Sequence, residues 1–308
     1  MSKQIVVTGA TGLIGSHLVR ALSERGDHVL VFTRSPGSAQ SEIPFAAGYI
    51  KWTPEESSDR WEKYIDGADA VIHLAGAPVM ARRWSGEYKA QILGSRQIGT
   101  RQIVHAIKNS TKKPEVFVCA SAIGIYGTYE GGTFTEKSEA GNDFLATVCK
   151  IWEKEASEAE GLGVRRVSVR LGIVLEKSGG ALGKMITPYR FFIGGPLGSG
   201  KQGFPWIHID DAVGIFLKAI DDRSIKGPLN AVAPESITMQ EFAEALGKIL
   251  HRPSAFKVPK IALRIIAGEG AETIYKTPKV IPEVLLKNGY EFKYKTAEAA
   301  LKNILDKK

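Results

Sequence analysis

The stretch Gln4-Ile5-Val6-Val7-Thr8-Gly9-Ala10-Thr11-Gly12-Leu13-Ile14-Gly15-Ser16-His17-Leu18-Val19-Arg20-Ala21-Leu22 sets the reading of the whole chain. It opens with an apolar, β-branched run and closes with Leu18, Val19 and Leu22 at helical spacing, which predicts a strand, a glycine turn and a helix in succession. Gly9, Gly12 and Gly15 fall in a G-x-x-G-x-x-G spacing. At such a turn glycines permit a tight bend, close approach of the backbone to a pyrophosphate, and tight packing of helix on strand. The helix N-terminus then offers free N–H groups to phosphate. Thr8, Gly9, Thr11, Gly12, Leu13, Ile14 and Gly15 are therefore candidate dinucleotide contacts, with a purely structural turn as the alternative.

Outward from this turn the alternation repeats. Apolar runs at 28–33, 70–74, 116–121 and 164–171 predict strands, and 88–108 and 144–160 carry a helical period. Continuous apolar strands alternating with helices imply an α/β fold with a doubly wound parallel sheet covered on both faces. Beyond about residue 172 the sequence turns Gly- and Pro-rich, as in Gly194-Gly195-Pro196-Leu197-Gly198-Ser199-Gly200, and reads as loops over a site. His208-Ile209-Asp210-Asp211 opens a helix over 212–220, 228–232 reads as one more strand, and Thr238 with Glu241 resembles a capping box before a helix through Leu250. The expected organisation is a nucleotide-binding domain over 1–172, completed by about 207–250, and a smaller α+β domain made from 173–206 and 251–308.

After the second strand comes Thr33-Arg34-Ser35, where an NAD-binding chain would place an acidic residue for the ribose. An arginine there pairs with a 2′-phosphate and stacks on adenine, so Arg34 and Ser35 favour NADP over NAD. A solvated loop residue is the other reading of Arg34.

The 308 residues carry 41 Lys/Arg against 33 Asp/Glu, a net charge of +8. Residues 248–308 hold 13 of the basic and 6 of the acidic groups, so seven of the eight charges lie there. They are dispersed among Pro, Ile, Ala and Leu, without the basic runs or interleaved aromatics of a nucleic-acid surface, and no nucleic-acid partner is expected. No apolar run approaches the ~18 residues that cross a bilayer. The N-terminus reads straight into a strand, so neither a leader nor a membrane partner is expected, and the chain is read as cytoplasmic, monomeric or homodimeric. Cys119 and Cys149 sit in apolar patterns that predict buried or site-lining thiols.

Several motifs together resemble the extended short-chain dehydrogenase/reductase superfamily, which includes nucleotide-sugar epimerases and dehydratases: the 8–15 turn, His73-Leu74-Ala75-Gly76, Ser121-Ala122, Tyr126-Gly127 and Trp206-Ile207-His208-Ile209-Asp210-Asp211. Arg83-Trp84, Ser95-Arg96, Gly124-Ile125-Tyr126-Gly127, the 194–200 glycine segment and a small C-terminal domain from near His251-Arg252-Pro253 resemble one atypical branch, the epimerase-family proteins sometimes labelled cell-division-inhibitor-like. The resemblance implies further cofactor contacts at Leu74, Ala75, Gly76, Ser95, Ala120, Arg170, Leu171 and Gly172, and a small-molecule substrate, anionic or nucleotide-linked.

Members of that superfamily use a Ser/Tyr/Lys set with Tyr and Lys in Y-x-x-x-K. Ser121 stands where that Ser belongs, but 144–156 contains no Tyr. Matching Glu153 to the Glu that commonly follows the Lys by four residues puts Leu145 in the Tyr place and Cys149 in the Lys place, with Lys150 turned toward solvent. Three readings stay open. Tyr126 or Cys149 supplies the acid/base or thiolate, other groups do so, or the protein binds NADP without turnover as a sensor or binding module. Arg170 reads equally as a substrate-anion contact and as a structural ion pair, and His208 as a hydrogen-bonded structural group. No His/Cys/Asp/Glu cluster has metal-ligand spacing and no G-x-S-x-G elbow occurs, which sets aside metallohydrolase and esterase chemistry.

Overall fold

The computed structural model describes residues 2–55, 59–129 and 131–306. Its strands, in chain order, are β1 (Gln4–Thr8), β2 (His28–Thr33), β3 (Gly48–Lys51), β4 (Ala70–His73), β5 (Val116–Ala122), β6 (Thr133–Phe134), β7 (Arg165–Leu171), β8 (Ile173–Leu175), β9 (Trp206–His208), β10 (Gly227–Ala231) and β11 (Lys279–Val280). Seven of them form one parallel sheet in the order β10-β7-β5-β4-β1-β2-β3. The central strands are apolar on both faces because both faces are covered: Ile5, Val6, Val7, Val71, Ile72, Phe117 and Val118 have no solvent exposure. Helices Leu13–Glu24 and Ile209–Asp221 pack on one side through Leu18, Val19, Leu22, Ile215 and Phe216. Helices Gly86–Asn109 and Phe144–Ser157 pack on the other through Ile103, Ile107, Trp152 and Ala156.

From β1 the chain runs outward through β2 and β3, then returns to β4 on the opposite side of β1. The order reverses between β1 and β4, so the crevice at their carboxyl ends is where a doubly wound sheet takes its ligand.

A second core lies beyond β7. It gathers Leu182, Ile186, Trp206, Phe242, Leu246 and Leu301. Two findings depart from the sequence reading. Helix Gly180–Arg190 forms where loops are expected, its Leu182, Ile186 and Tyr189 buried at helical spacing while Gly183 and Pro188 obscure the pattern. Helix Met239–Leu250 keeps its Thr238/Glu241 capping box, yet it packs with Ala297–Asp306 in this second core instead of completing the sheet. Strand β10 alone extends the sheet after β7.

His208 and Asp211 explain the Trp206–Asp211 motif. His208 Nδ1 accepts the Asp210 N–H at 3.0 Å and so caps helix Ile209–Asp221, while its ring stacks on Tyr294. The fully buried Asp211 carboxylate accepts the Lys293 and Tyr294 N–H groups at 2.8 and 3.0 Å, and its own carbonyl accepts from the Tyr290 hydroxyl. This carboxylate ties the C-terminal segment to the sheet layer. Asp211→Ala is expected to leave two N–H groups without their acceptor and to lower stability by about 2–4 kcal/mol, read by urea unfolding. A loss within 0.5 kcal/mol of zero, the size of an ordinary surface change, would remove the clamp from the account.

Candidate functional site

Gly9 adopts φ +70° with its α-carbon so close to the next strand's loop that a Cβ would lie 2.7 Å from the Ala75 nitrogen. A Cβ on Gly15 would lie 2.3 Å from the Gly9 carbonyl oxygen. These two glycines make the bend and the helix-on-strand contact. Gly12 differs: it is exposed, its N–H closes the turn on the Gly9 carbonyl at 3.1 Å, and it caps helix Leu13–Glu24 without any side-chain acceptor. The first N–H groups of that helix therefore face outward beside exposed Thr11, the arrangement that receives a pyrophosphate.

Thr8 is used differently from the sequence expectation. Fully buried, its hydroxyl oxygen accepts the Leu74 and Ala75 N–H groups, both at 3.2 Å, and bonds His73 Nδ1 at 2.8 Å. Burial pushes His73 down to about 3, so its ring is neutral. Ser95 fixes the same loop from the other side, accepting the Ala77 N–H at 3.0 Å and donating to the Ile92 carbonyl at 3.1 Å. Thr8 and Ser95 thus hold the 74–77 backbone at the crevice instead of presenting their own hydroxyls. Gly76 is exposed on that loop. Arg34 and Ser35 are exposed at the end of β2; the Arg34 guanidinium has no partner among the described residues, and Ser35 starts helix Pro36–Glu42.

At the ends of β5 and β7 lies a buried polar network. Ser121 Oγ donates to Glu153 Oε1 at 2.6 Å. Arg170 grips both oxygens of the same carboxylate, Nε to Oε1 at 2.8 Å and Nη2 to Oε2 at 2.9 Å. Its Nη1 donates to the Tyr126 hydroxyl at 3.0 Å, and that hydroxyl donates to Asn230 Oδ1 at 2.7 Å. Glu136 accepts the Asn230 N–H at 3.0 Å, and its carbonyl lies 3.4 Å from Arg170 Nη1. Burial alone works against the Arg170 charge, but the hydrogen bonds and charge of Glu153 outweigh it and hold the guanidinium above the usual arginine range. Burial lifts the Tyr126 phenol above its ordinary value, with Arg170 offsetting part of the effect.

The Leu145, Cys149 and Glu153 stripe does face the end of β5. A Cβ on Gly124, in the turn that follows β5, would lie 3.3 Å from Leu145 Cβ and 3.9 Å from Cys149 Sγ. Lys150 points outward and is exposed. Burial pushes the Cys149 thiol up to about 12. Cys119, inside β5, is raised further by the same cause. At neutral pH both are thiols: at Cys149 burial and the Glu153 charge outweigh the opposing pull of Arg96 and Arg170. Tyr126 is fully buried with both capacities of its hydroxyl taken. Of the hydroxyls expected to do chemistry, Ser121 lies at the strand ends, buried, with the Glu153 carboxylate as its partner. Ala120 is buried within β5, Leu171 ends β7, and Gly172 sits so close to the 205 backbone that a Cβ would lie 2.6 Å from the Pro205 oxygen.

Glu153 enters the sequence reading only as a register mark, and Asn230 and Glu136 not at all. An asparagine inside the otherwise apolar 228–232 strand is the one signal that pointed to them.

A family model described as the NAD dependent epimerase/dehydratase family matches residues 5–231, and a domain of unknown function (DUF1731) matches 258–304. The chain is 43% identical over 272 residues to the epimerase family protein SDR39U1 homolog, chloroplastic, of Arabidopsis thaliana, covering 88% of this chain and 77% of that protein. Its structure superposes on human epimerase family protein SDR39U1 (isoform 2), crystallised with NADPH, with TM-score 0.88 and 32% identity over 99% of this chain and 100% of the other. A UDP-glucuronic acid 4-epimerase from Bacillus cereus, solved with UDP-glucuronic acid and NAD, shares the fold at TM-score 0.78 and 20% identity, with 98% of each chain covered.

A thiol held near 12 reacts through a vanishing thiolate fraction. Iodoacetamide at neutral pH is expected to modify Cys149 at least about a thousandfold more slowly than a free cysteine, whose pKa is about 8.5, with or without nucleotide. Peptide mass spectrometry reads this directly, and labelling of Cys149 at the free-thiol rate would contradict the burial described.

Proposed function

The chain belongs to the NAD-dependent epimerase/dehydratase family, and we propose that it is an NADP-dependent reductase of small molecules that does not run the Tyr/Lys relay of sugar-nucleotide epimerases. Its pyrophosphate seat is the 9–15 turn, with the open helix start at Leu13, Ile14 and Gly15, and the 74–76 backbone forms the opposite wall. Arg34 takes the 2′-phosphate. The NADPH-bound human relative supports this choice of cofactor. When bound, NADPH supplies a hydride to an acceptor carbon.

The observation that carries the reading is the committed state of the polar network. Leu145 and Cys149 bring no phenol and no ammonium, and Tyr126 is locked between Arg170 and Asn230. Ser121 is the group that remains for chemistry. Its hydroxyl rests on Glu153 and can turn to donate to a substrate oxygen, while Arg170 keeps the Glu153 carboxylate in place through both oxygens. Such a site orients a substrate oxygen through one hydrogen bond. A substrate enters between 76–96 and 172–206, beneath the smaller domain of 173–206 and 251–308. A cytoplasmic monomer or homodimer acting on an anionic or nucleotide-linked compound completes the reading; the Arabidopsis relative's name assigns that protein to the chloroplast. No helix among the described residues is long and apolar enough to cross a membrane.

One observation favours a second reading. Ser121, Glu153, Arg170, Tyr126 and Asn230 satisfy one another, as a scaffold that binds NADP without turnover would.

Calorimetry is expected to give tighter binding of NADPH than of NADH, and Arg34→Ala to narrow the gap by about 1–3 kcal/mol, the worth of a charged hydrogen bond to phosphate. Equal affinities in the unmutated protein would remove the NADP assignment. Against a panel of UDP- and GDP-sugars no epimerisation above a cofactor-free control is expected. Turnover that persists in Tyr126→Phe and Cys149→Ala would place a working relay elsewhere in the site.

A further inference from the structure

Next to the paired network of Ser121, Glu153 and Arg170 lies an arginine with an unused edge. Arg96, in helix Gly86–Asn109, lies with its guanidinium flat against Gly76: a Cβ there would lie 3.1 Å from Cζ and 3.3 Å from both Nη atoms. Its other face stacks on Trp152, with Cζ 4.9 Å from the ring centre. Nη1 donates to the Ala77 and Ile92 carbonyls at 3.0 and 3.1 Å. Nε and Nη2 have no hydrogen bond, and no carboxylate among the described residues is within ion-pair reach. Burial pulls the Arg96 pKa below the usual arginine value, the opposite outcome to Arg170, where Glu153 reverses the same effect.

Position distinguishes this cation from those assigned to the cofactor. The 9–15 turn and Arg34 lie at the ends of β1 and β2, whereas Arg96 sits against the exposed loop after β4, and its charge is felt at Cys149 on the helix whose Glu153 holds Ser121. It therefore lies on the side of the crevice where the reacting end of a dinucleotide and its substrate meet. The Arg96 side chain is half-buried and its unused edge is open to solvent, where an anion can reach it.

We propose that the free Nε/Nη2 edge of Arg96 is the anion-binding element of the substrate subsite and that it takes a carboxylate. Gly76 and Trp152 cover the two faces of the guanidinium, so a ligand approaches only in its plane. A flat two-oxygen anion meets the fork there with two parallel hydrogen bonds. The substrate of the proposed reductase is thus a carbonyl compound bearing a carboxylate within reach of Ser121. The inference rests on the reading of the crevice as an NADP site.

Malonate and inorganic phosphate, titrated by calorimetry into the NADPH-loaded protein, test it. Malonate is expected to bind at one site and more tightly than phosphate. Arg96→Met, which preserves bulk against Trp152, is expected to weaken malonate at least about tenfold while NADPH affinity stays within about threefold. Arg96→Lys, which keeps the charge and loses the fork, is expected to fall between, and it decides the matter if Arg96→Met melts early. No malonate binding to the unmutated protein, or binding indifferent to Arg96, overturns the proposal. So does tighter binding of phosphate than of malonate, or a parallel loss of NADPH affinity, which would make Arg96 a cofactor contact. Failure of NADPH to bind the unmutated protein is a different result: it defeats the cofactor reading, while malonate titrated into the nucleotide-free protein still reports on Arg96.

Discussion

The crevice depends on how closely the turn after β1 is held to the loop after β4. One hydroxyl, on Thr8, accepts two backbone N–H groups from that loop and engages His73, joining the ends of both strands inside the sheet. Gly9 lies directly against Leu74 and Ala75, at a separation that admits no side chain. The floor of the site is consequently backbone on both sides. Main-chain N–H groups bind phosphate without discriminating what else the ligand carries, so in the proposed NADP site specificity would come from side chains: Arg34 toward one end, Arg96 and Ser121 toward the other.

The middle of the site is governed by the bidentate Arg170–Glu153 pair. Both residues are largely buried, and removing one partner of such a pair typically costs about 3–5 kcal/mol because the other charge is left uncompensated. The pair organises its neighbours, with Ser121 on the carboxylate and Tyr126 on the guanidinium. Helix Phe144–Ser157 thus contributes an anion held in place at Glu153, one turn beyond Cys149. A carboxylate at that position cannot stabilise an alkoxide by charge. The guanidinium within the network, Arg170, is committed to that carboxylate through both of its oxygens.

Much of the architecture was legible because its signals are local. The apolar run at 4–8, the glycine spacing and Leu18, Val19 and Leu22 lie within one window, and each specifies the same strand-turn-helix. The β5 and β7 strands are seven residues each, with Val116–Val118 in the first and Val167 and Val169 flanking Ser168 in the second. What escaped was short or glycine-bearing. Strands β3, β8 and β9 have three or four residues. Helix Gly180–Arg190 presents its buried Leu182, Ile186 and Tyr189 among glycines and a proline that argue for loop. The site was legible in its backbone part and not in its pairing. Arg170 meets Glu153 across 17 residues and Tyr126 meets Asn230 across 104, and no spacing rule carries that information. Without the partners, Tyr126 reads as an available acid and Arg170 equally as an anion receptor and as half of an ion pair. With them, both are spoken for.

Three arginines behind the sheet ends show how partner choice sorts one residue type into different roles. Arg165 donates to the carbonyls of Ala219, Ile220 and Ile225, neutralising the carboxyl end of helix Ile209–Asp221, which is the end that favours a cation. Arg170 is matched by a full carboxylate. Arg96 gives one nitrogen to two carbonyls, an aromatic face to Trp152, and nothing to its remaining edge. Arg165 is accounted for by a helix end and Arg170 by an ion pair, each complete without a ligand. Arg96 alone of the three is completed only by something from outside the chain, and its place against Gly76 puts that something at the mouth of the crevice.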